Sequence, residues 1–284
     1  MEIAGRKCLI TGAAGGIGRA TALEVAARGG SVVITDIQSE PLAETARMIE
    51  SRGGRVLHSA QADVTDREAV AALARDVHAE HGSLDIVMNV AGVSTWGPVQ
   101  LLGEEHWRKM IEINLMGPVH VISEFVPPMI DARRGGHLVN VSSAAGLIGL
   151  PWHAAYSASK FGLRGVSEVL RFDLRRYRIG VSLVCPGGVD TPLVNTLEIV
   201  GVDQEHPAVR KMSERFRRRA HSPEDVARKI VRGVERERYL VYTSRDIVAV
   251  HFLQRFFPPV YERIMRQLNK QMVAVAKQAP ARDS

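Results

Sequence analysis

The sequence has few cysteines, few aromatic residues and no uncharged hydrophobic run long enough to cross a membrane. Its two cysteines, Cys8 and Cys185, each lie in an apolar run without a Cys or His neighbour at metal-ligand spacing. We therefore expect two reduced, buried thiols and no metal site. The first residues also lack a basic segment followed by an apolar stretch, so we expect a cytoplasmic protein rather than a secreted one.

Most of the chain carries no excess of positive charge. Residues 1–200 carry 19 basic and 21 acidic side chains, whereas residues 201–284 carry 18 basic and 10 acidic, so the net charge of +6 belongs to the C-terminal part. A cluster such as Arg217, Arg218 and Arg219 could attract nucleic acid. We interpret it as a solvated helix face and expect no nucleic-acid partner.

Short apolar runs alternate with amphipathic segments up to about residue 185, which is typical of a parallel sheet covered on both faces. The predicted strands are Cys8–Thr11, Ser31–Thr35, Arg55–Ser59, Leu84–Asn89, His137–Val141 and Gly180–Cys185. The predicted helices are Gly18–Arg28, Ser39–Ser51 with Ser39 as N-cap, Arg67–Glu80 after the capping pair Thr65-Asp66, Glu105–Ile130 and Ala155–Tyr177. This alternation predicts an α/β fold with a doubly wound parallel sheet.

A glycine-rich turn joins the first predicted strand to the first helix. Gly12 allows a sharp turn off the strand, while Gly16 and Gly18 allow the backbone to approach a pyrophosphate and a neighbouring strand. The helix N-terminus, near Ile17, then offers N–H groups and partial positive charge to that anion. The turn therefore predicts a dinucleotide site.

The end of the second predicted strand indicates which dinucleotide is bound. Asp36 follows Gly18 by 18 residues, where a carboxylate can accept from both ribose hydroxyls and repels a 2′-phosphate. Ile37 and Gly15 stand where a 2′-phosphate would need a cation. The pattern favours NAD over NADP, although Asp36 could instead be a turn residue.

Three side chains after the fifth predicted strand could act together in one proton transfer. Tyr156 and Lys160 are four residues apart at the start of a helix and so share one face. The Lys160 ammonium would lower the pKa of the Tyr156 phenol, and Ser143 could bond a substrate oxygen. This spacing predicts general acid/base catalysis.

With these residues in view, the chain resembles the short-chain dehydrogenase/reductase family over roughly residues 5–240. The motifs that match, in chain order, are the Gly12, Gly16, Gly18 loop; Asp63-Val64; Asn89-Val90-Ala91-Gly92, in which Val90 replaces a second Asn; Asn114; Ser143, Tyr156 and Lys160; and Pro186-Gly187-x-Val189-x-Thr191. The resemblance implies a three-layer Rossmann-like fold and a homodimer or homotetramer.

The resemblance also implies roles for the matching residues. Tyr156 would be the acid/base, Lys160 would hold the nicotinamide ribose, Ser143 would orient the substrate, and Asn114 would position a relay water. Asp63 and Val64 would contact the adenine, and Asn89, Ala91 and Gly92 would also bind the cofactor. Pro186, Gly187, Val189 and Thr191 would lie on the nicotinamide side. The expected enzyme is an NAD-dependent oxidoreductase of alcohols or ketones. A catalytically idle dinucleotide-binding sensor or scaffold is the alternative.

The predicted substrate-facing residues are mostly apolar and include Trp96, Trp152 and His153. His153 could bond a substrate oxygen or could instead be a surface or neighbour-bonded histidine. The apolar character favours a hydrophobic secondary alcohol or ketone such as a steroid, a retinoid or another lipid-like molecule. We expect a mobile lid over residues 192–220 and a catalytic domain over residues 1–244. Residues 245–284 predict an amphipathic helical extension that Pro258-Pro259 divides into two helices. It could contact a membrane as a basic amphipathic surface, or pack on its own core or a partner subunit.

Overall fold

The computed structural model describes residues 1–191 and 198–280 and has three layers, with helices on both faces of a parallel sheet. The strands are β1 (Lys7–Thr11), β2 (Ser31–Asp36), β3 (Arg55–Gln61), β4 (Ile86–Asn89), β5 (Thr95–Trp96), β6 (Gly136–Val141), β7 (Ile179–Cys185), β8 (Glu198–Ile199) and β9 (Leu240–Tyr242). Seven of them form the sheet in the order β3-β2-β1-β4-β6-β7-β9, while β5 and β8 pair separately. The predicted doubly wound architecture is confirmed.

The helices connect these strands as right-handed crossovers require. They are α1 (Gly16–Ala27), α2 (Ser39–Glu50), α3 (Arg67–His81), α4 (Glu104–Ile111), α5 (Gly117–Ala132), α6 (Ala154–Asp173), α7 (Pro207–Arg219), α8 (Pro223–Glu235), α9 (Arg245–Phe256) and α10 (Pro258–Gln278). Among the helices of the described residues, none is long and apolar enough to cross a membrane.

Alternating strand residues supply the two halves of the core. Cys8 and Ile10 of β1 face one side of the sheet with Val25 of α1, and Leu9 faces the other side with Phe125 of α5. All five are 0% exposed, so the central strands are buried on both faces. The two cysteines are free and buried, as predicted.

Two predicted helix features were wrong. Ser39 is the first residue of α2 and not its N-cap, which is Gln38 without a side-chain cap. Asp36 accepts from the Gln38 N–H at 3.0 Å and turns the chain one residue earlier. The helix predicted over Glu105–Ile130 is divided into α4 and α5 by a π-helical turn at Glu112–Met116. By contrast, Asp66 caps α3 as predicted, accepting from two backbone N–H groups.

The last third of the chain contains elements that hydrophobic periodicity did not predict. The edge strand β9 pairs with β7, and α8 packs on the face of the sheet that α1 covers. The predicted lid contains β8 and α7, while its residues 192–197 lie outside the described part of the chain. The break between α9 and α10 falls at Pro258, as predicted.

Candidate active site

The glycine turn between β1 and α1 has the conformation that its sequence predicts. Gly12 has φ +69°, and a Cβ there would lie 2.7 Å from the Cα of Ala91. A Cβ on Gly18 would lie 1.9 Å from the carbonyl oxygen of Gly12. Only glycine allows both the left-handed turn and this approach of helix to loop.

The N-terminus of α1 fits a phosphate group. Its first turn contains no acidic side chain, and its N-cap, Gly15, supplies no side-chain hydrogen bond to the helix. The loop is held rigidly: the Thr11 hydroxyl accepts from the N–H groups of Val90 and Ala91 at 3.0 and 3.1 Å. The turn is therefore a preformed, open cradle of backbone donors, and its residues fit the pyrophosphate of a dinucleotide.

Asp36 lies at the end of β2 beside this turn. One of its oxygens accepts from the Ala14 N–H at 3.0 Å, and the other accepts from Gln38. Asp36 thus stabilises the turn, and it also places a negative charge next to the loop. Ile37 is 56% exposed and contributes no cation there.

The cofactor residues predicted after the third and fourth strands lie in different surroundings. Asp63 accepts from the N–H and hydroxyl of Thr65, both at 2.8 Å, and Val64 is buried against Gly117. The Asn89 side chain lies between strands, donating to Asn140 at 2.9 Å, and does not line the cavity described below. Asn89 therefore aligns β4 with β6.

Tyr156 and Lys160 lie on the first turns of α6, where the Nζ of Lys160 is 5.8 Å from the centroid of the Tyr156 ring. Lys160 is only 5% exposed, and its ammonium donates to the carbonyl of Val141 at 3.1 Å. Because burial disfavours the charged form, the pKa of Lys160 falls to about 8.

The pKa of the Tyr156 phenol is raised overall in the structure, whereas the sequence predicted a lowering by Lys160. Burial raises the pKa of Tyr156, and the hydrogen bond with Ser143 lowers it by less. The pKa of Tyr156 is thus raised overall because burial dominates, and the lowering by the Lys160 ammonium stays a prediction. The Ser143 hydroxyl also accepts from the Ala145 N–H at 3.1 Å, which fixes its direction.

Asn114 lies in the π-helical turn and is fully buried. Its side chain accepts from the Val93 N–H at 2.9 Å and donates to the Val93 carbonyl at 3.0 Å. A Cβ on Gly92 would lie 2.9 Å from the Asn114 Oδ1 and 3.3 Å from the Lys160 Nζ, so the bare glycine lets these groups approach. Pro118 has no N–H for the Asn114 carbonyl four residues earlier, a sequence signal for the disturbed helix.

A cavity of about 570 Å³ opens above these residues. Its polar lining includes Ser94, Ser143, His153, Tyr156, Lys160 and Thr191. Of the other residues predicted to bind cofactor, Ile17, Gly92, Pro186, Gly187 and Val189 also line it. The volume falls in the range of roughly 300–1,000 Å³ that small-molecule sites occupy.

The predicted substrate residues divide between lining and support. Trp96 lines the cavity, with its ring 4.2 Å from that of His153. His153 also lines it, and burial lowers its pKa to about 4, so the ring is neutral at physiological pH. Trp152 does not line the cavity itself; it has φ +67° and packs in a cluster with Ile199, which does line it, so its assignment as a substrate contact stays a prediction.

The structure adds a cavity wall that the sequence did not reveal. Ile247 and Val250 of α9 and Met265, Leu268 and Met272 of α10 line the side formed by the C-terminal extension. The α10 residues follow the i, i+3, i+7 spacing of one helical face. That spacing marks an apolar face in the sequence, but it does not identify what the face covers.

The family is shown by comparison with known proteins. The short chain dehydrogenase family model matches residues 6–199. A Mycobacterium tuberculosis protein, SadH, whose name assigns it to the oxidoreductases, is 35% identical over 266 residues, covering 92% of this chain and 94% of SadH. The chain belongs to the short-chain dehydrogenase/reductase family.

Solved structures agree with this assignment. A Burkholderia phymatum short-chain dehydrogenase/reductase in complex with NAD has a TM-score of 0.82 at 28% identity, covering 90% of this chain and 94% of that one. A metagenomic short-chain oxidoreductase in complex with NADP has a TM-score of 0.68 at 30% identity, covering 85% and 96%. The protein is therefore an oxidoreductase of CH–OH groups that uses a nicotinamide dinucleotide.

Proposed function

We propose that this enzyme is an NAD-dependent oxidoreductase that transfers a hydride between nicotinamide and a hydrophobic secondary alcohol or ketone, with Tyr156 as general acid/base. One observation carries the proposal: Ser143, Tyr156 and Lys160 line the same largely apolar cavity as Ile17, which lies between Gly16 and Gly18 of the glycine turn. The catalytic domain would comprise residues 1–244. A lipid-like substrate is favoured because most of the other lining residues are apolar, among them Ile247, Val250 and Leu268.

When bound, the nicotinamide supplies the hydride acceptor or donor. In the oxidative direction, the Tyr156 oxygen takes the proton of the carbinol hydroxyl, and the Ser143 hydroxyl orients the same oxygen. Lys160 would hold the ribose hydroxyls, and its positive charge favours the phenolate. Asn114 holds the π-helical turn in place, so that a water bonded there can connect Lys160 with solvent.

The direct test replaces the phenol by Tyr156→Phe. Removing an acid/base group of this kind costs roughly 10²–10⁴-fold in kcat, while the dissociation constant for NAD should change little because the ring remains. Tyr177→Phe, in the same domain but outside the cavity lining, is the matched control. If Tyr156→Phe retained a substantial fraction of kcat, the assignment would be wrong.

The preference for NAD over NADP depends on the charge of Asp36. Asp36→Asn keeps an acceptor for the Ala14 N–H and removes the repulsion of a 2′-phosphate. We expect the ratio of kcat/KM for NADP to that for NAD to rise by about tenfold or more. An unchanged ratio would show that Asp36 only stabilises the turn.

The alternative is a catalytically idle dinucleotide-binding sensor or scaffold. Such a protein would bind NAD but turn over no member of a panel of secondary alcohols and ketones. The presence of Ser143 and Tyr156 beside Lys160 in one cavity argues for the enzyme, since a sensor that only binds the dinucleotide needs no acid/base group.

We propose a cytoplasmic homodimer or homotetramer. On helix α6 the side chains of Phe161, Val169 and Phe172 are 38%, 57% and 60% exposed. They form an apolar face that a second copy of the chain could cover. Val169→Asp with Phe172→Asp should reduce the mass measured by light scattering. An unchanged mass would exclude this face as the subunit contact.

We also propose a peripheral contact between the extension and anionic membranes. An outer ridge on α9 and α10 leaves large apolar side chains 40–58% exposed: Phe252, Phe256, Phe257, Val260 and Ile264. Residues 245–280 carry six basic and two acidic side chains. This charge opposes contact between two copies and favours an anionic lipid surface.

Vesicle co-sedimentation tests the membrane contact. The full chain should sediment with phosphatidylglycerol vesicles more than with phosphatidylcholine vesicles, and Phe256→Ser with Phe257→Ser should lower the bound fraction. Val99→Ser with Leu101→Ser removes exposed apolar side chains elsewhere and serves as the control. Equal sedimentation of all three proteins would end the proposal.

A further inference from the structure

The C-terminal helices are fixed to the catalytic domain at two separate points. At the first point, Ile247 is 4% exposed and packs with Leu183 and Cys185 of β7. The Tyr261 hydroxyl, near the start of α10, donates to the Gly149 carbonyl at 2.8 Å. Gly149 belongs to the loop between Ser143 and Tyr156, so this contact joins α10 to the catalytic segment.

The second point lies at the far end of α10. The Asp203 N–H donates to the carbonyl of Ala279 at 3.0 Å, and Ala279 is 1% exposed. Val275 packs in the same cluster beside Val202, in the segment between β8 and α7. Helix α10 therefore spans from the catalytic loop to the segment that carries the other wall of the cavity.

Between these two points, one face of α10 lines the cavity. Met265, Leu268 and Met272 all belong to the lining, together with Ile247 and Val250 of α9. These five side chains carry no charge and no hydrogen-bonding hydroxyl or amide, and Asp246 at the start of α9 is the charged residue that the extension adds to the lining. Methionine is unbranched and adapts to irregular shapes, so this wall can contact flexible or rigid apolar groups.

We propose that the face of α10 formed by Met265, Leu268 and Met272 is the specificity-determining wall of the substrate site, and that it selects alcohols and ketones with an extended apolar group remote from the reacting carbon. The inference rests on the proposed function and adds to it the part of the chain that discriminates between substrates by the length of their apolar group. Residues that contact only the remote group change binding of long substrates and leave proton transfer at Tyr156 unaltered.

A homologous series of secondary alcohols, from sec-butanol upward, tests this wall with the full-length enzyme and NAD. Each added methylene should raise kcat/KM by about threefold to fourfold until the cavity is filled. Leu268→Trp shortens the cavity, so kcat/KM for secondary decanol should fall by about tenfold or more while that for sec-butanol stays within about twofold. Ile264→Trp, on the exposed face of the same helix, is the matched control.

Leu268→Ala gives an independent readout, because it enlarges the site without adding bulk. We expect the KM of secondary decanol to rise with kcat unchanged, whereas a merely structural defect would lower kcat for every member of the series. Equal effects of Leu268→Trp on short and long alcohols, or no effect on either, would overturn the proposal.

The proposed function and this wall can fail separately. If no alcohol is turned over by any variant, calorimetric titration with long-chain methyl ketones still reports on binding. Weaker binding to Leu268→Trp than to Ile264→Trp would support the wall without hydride transfer. Equal binding to both would overturn it.

Discussion

Replacing the buried Lys160 by methionine should make the protein more stable while abolishing its activity. The pKa of Lys160 is about 8 in the folded protein, against 10.5 for an unburied lysine. At neutral pH, this difference corresponds to about 3 kcal/mol of destabilisation by the buried ammonium. Loss of the hydrogen bond to the Val141 carbonyl offsets about 1 kcal/mol. Lys160→Met should therefore gain about 2 kcal/mol in the free energy of unfolding.

The difference in the free energy of unfolding between wild type and Lys160→Met should depend on pH. Since the folded pKa lies below the unfolded one, the unfolded wild-type chain binds more protons between pH 8 and 10.5. Wild-type stability therefore receives a rising contribution from Lys160 across this window, which the variant lacks. The advantage of Lys160→Met should be full below pH 8 and should disappear by about pH 10.5.

Urea unfolding of both proteins at equal concentration, without added nucleotide, measures this difference. Lys270→Met, at an exposed position of α10, controls for loss of a positive charge alone. A variant less stable than wild type at pH 7, or an advantage that does not change with pH, would refute the reasoning that burial of the ammonium is costly here.

Three further predictions concern the core, the glycine turn and the thiols. Phe125→Ala, at a side chain that is 0% exposed, should lower the free energy of unfolding by about 3–5 kcal/mol in the same urea assay. Gly12→Ala should abolish NAD binding in a fluorescence titration, because φ is +69° and the new Cβ would lie 2.7 Å from Ala91. Burial raises the pKa of Cys185 to about 12 and that of Cys8 as well, so the native protein should react with a disulfide reagent far more slowly than the unfolded chain.

The parts of the fold that follow from local rules could be predicted from the sequence. Gly12 takes the positive φ that a turn off β1 requires, and Asp66 caps α3. Tyr156 and Lys160 come together because four residues make about one turn of helix. These features depend on neighbours in sequence, which the sequence shows directly.

The features that were missed depend on contacts between distant segments. The three residues of β9 form a strand because β7 offers a free edge, and their own pattern is too short to indicate it. Trp152 has φ +67°, a value that its residue type does not predict, and it is not part of the cavity lining. The π-helical turn at Asn114 had one local signal, Pro118, which supplies no N–H to the preceding turn.

The C-terminal extension shows most clearly why periodicity alone was insufficient. Helix α10 is apolar on the face that carries Leu268 and again at Ile264 and Val260, so the sequence could not indicate which side meets the protein. The fold decides this through Ile247, which fills a site beside Gly187 with its Cδ1 3.0 Å from where a Cβ would stand. Because Gly187 also lines the cavity, the segment that anchors the extension touches the segment that would hold nicotinamide. The extension therefore lines the candidate active site, and under the proposed function changes in it should act on substrate selection and on stability together.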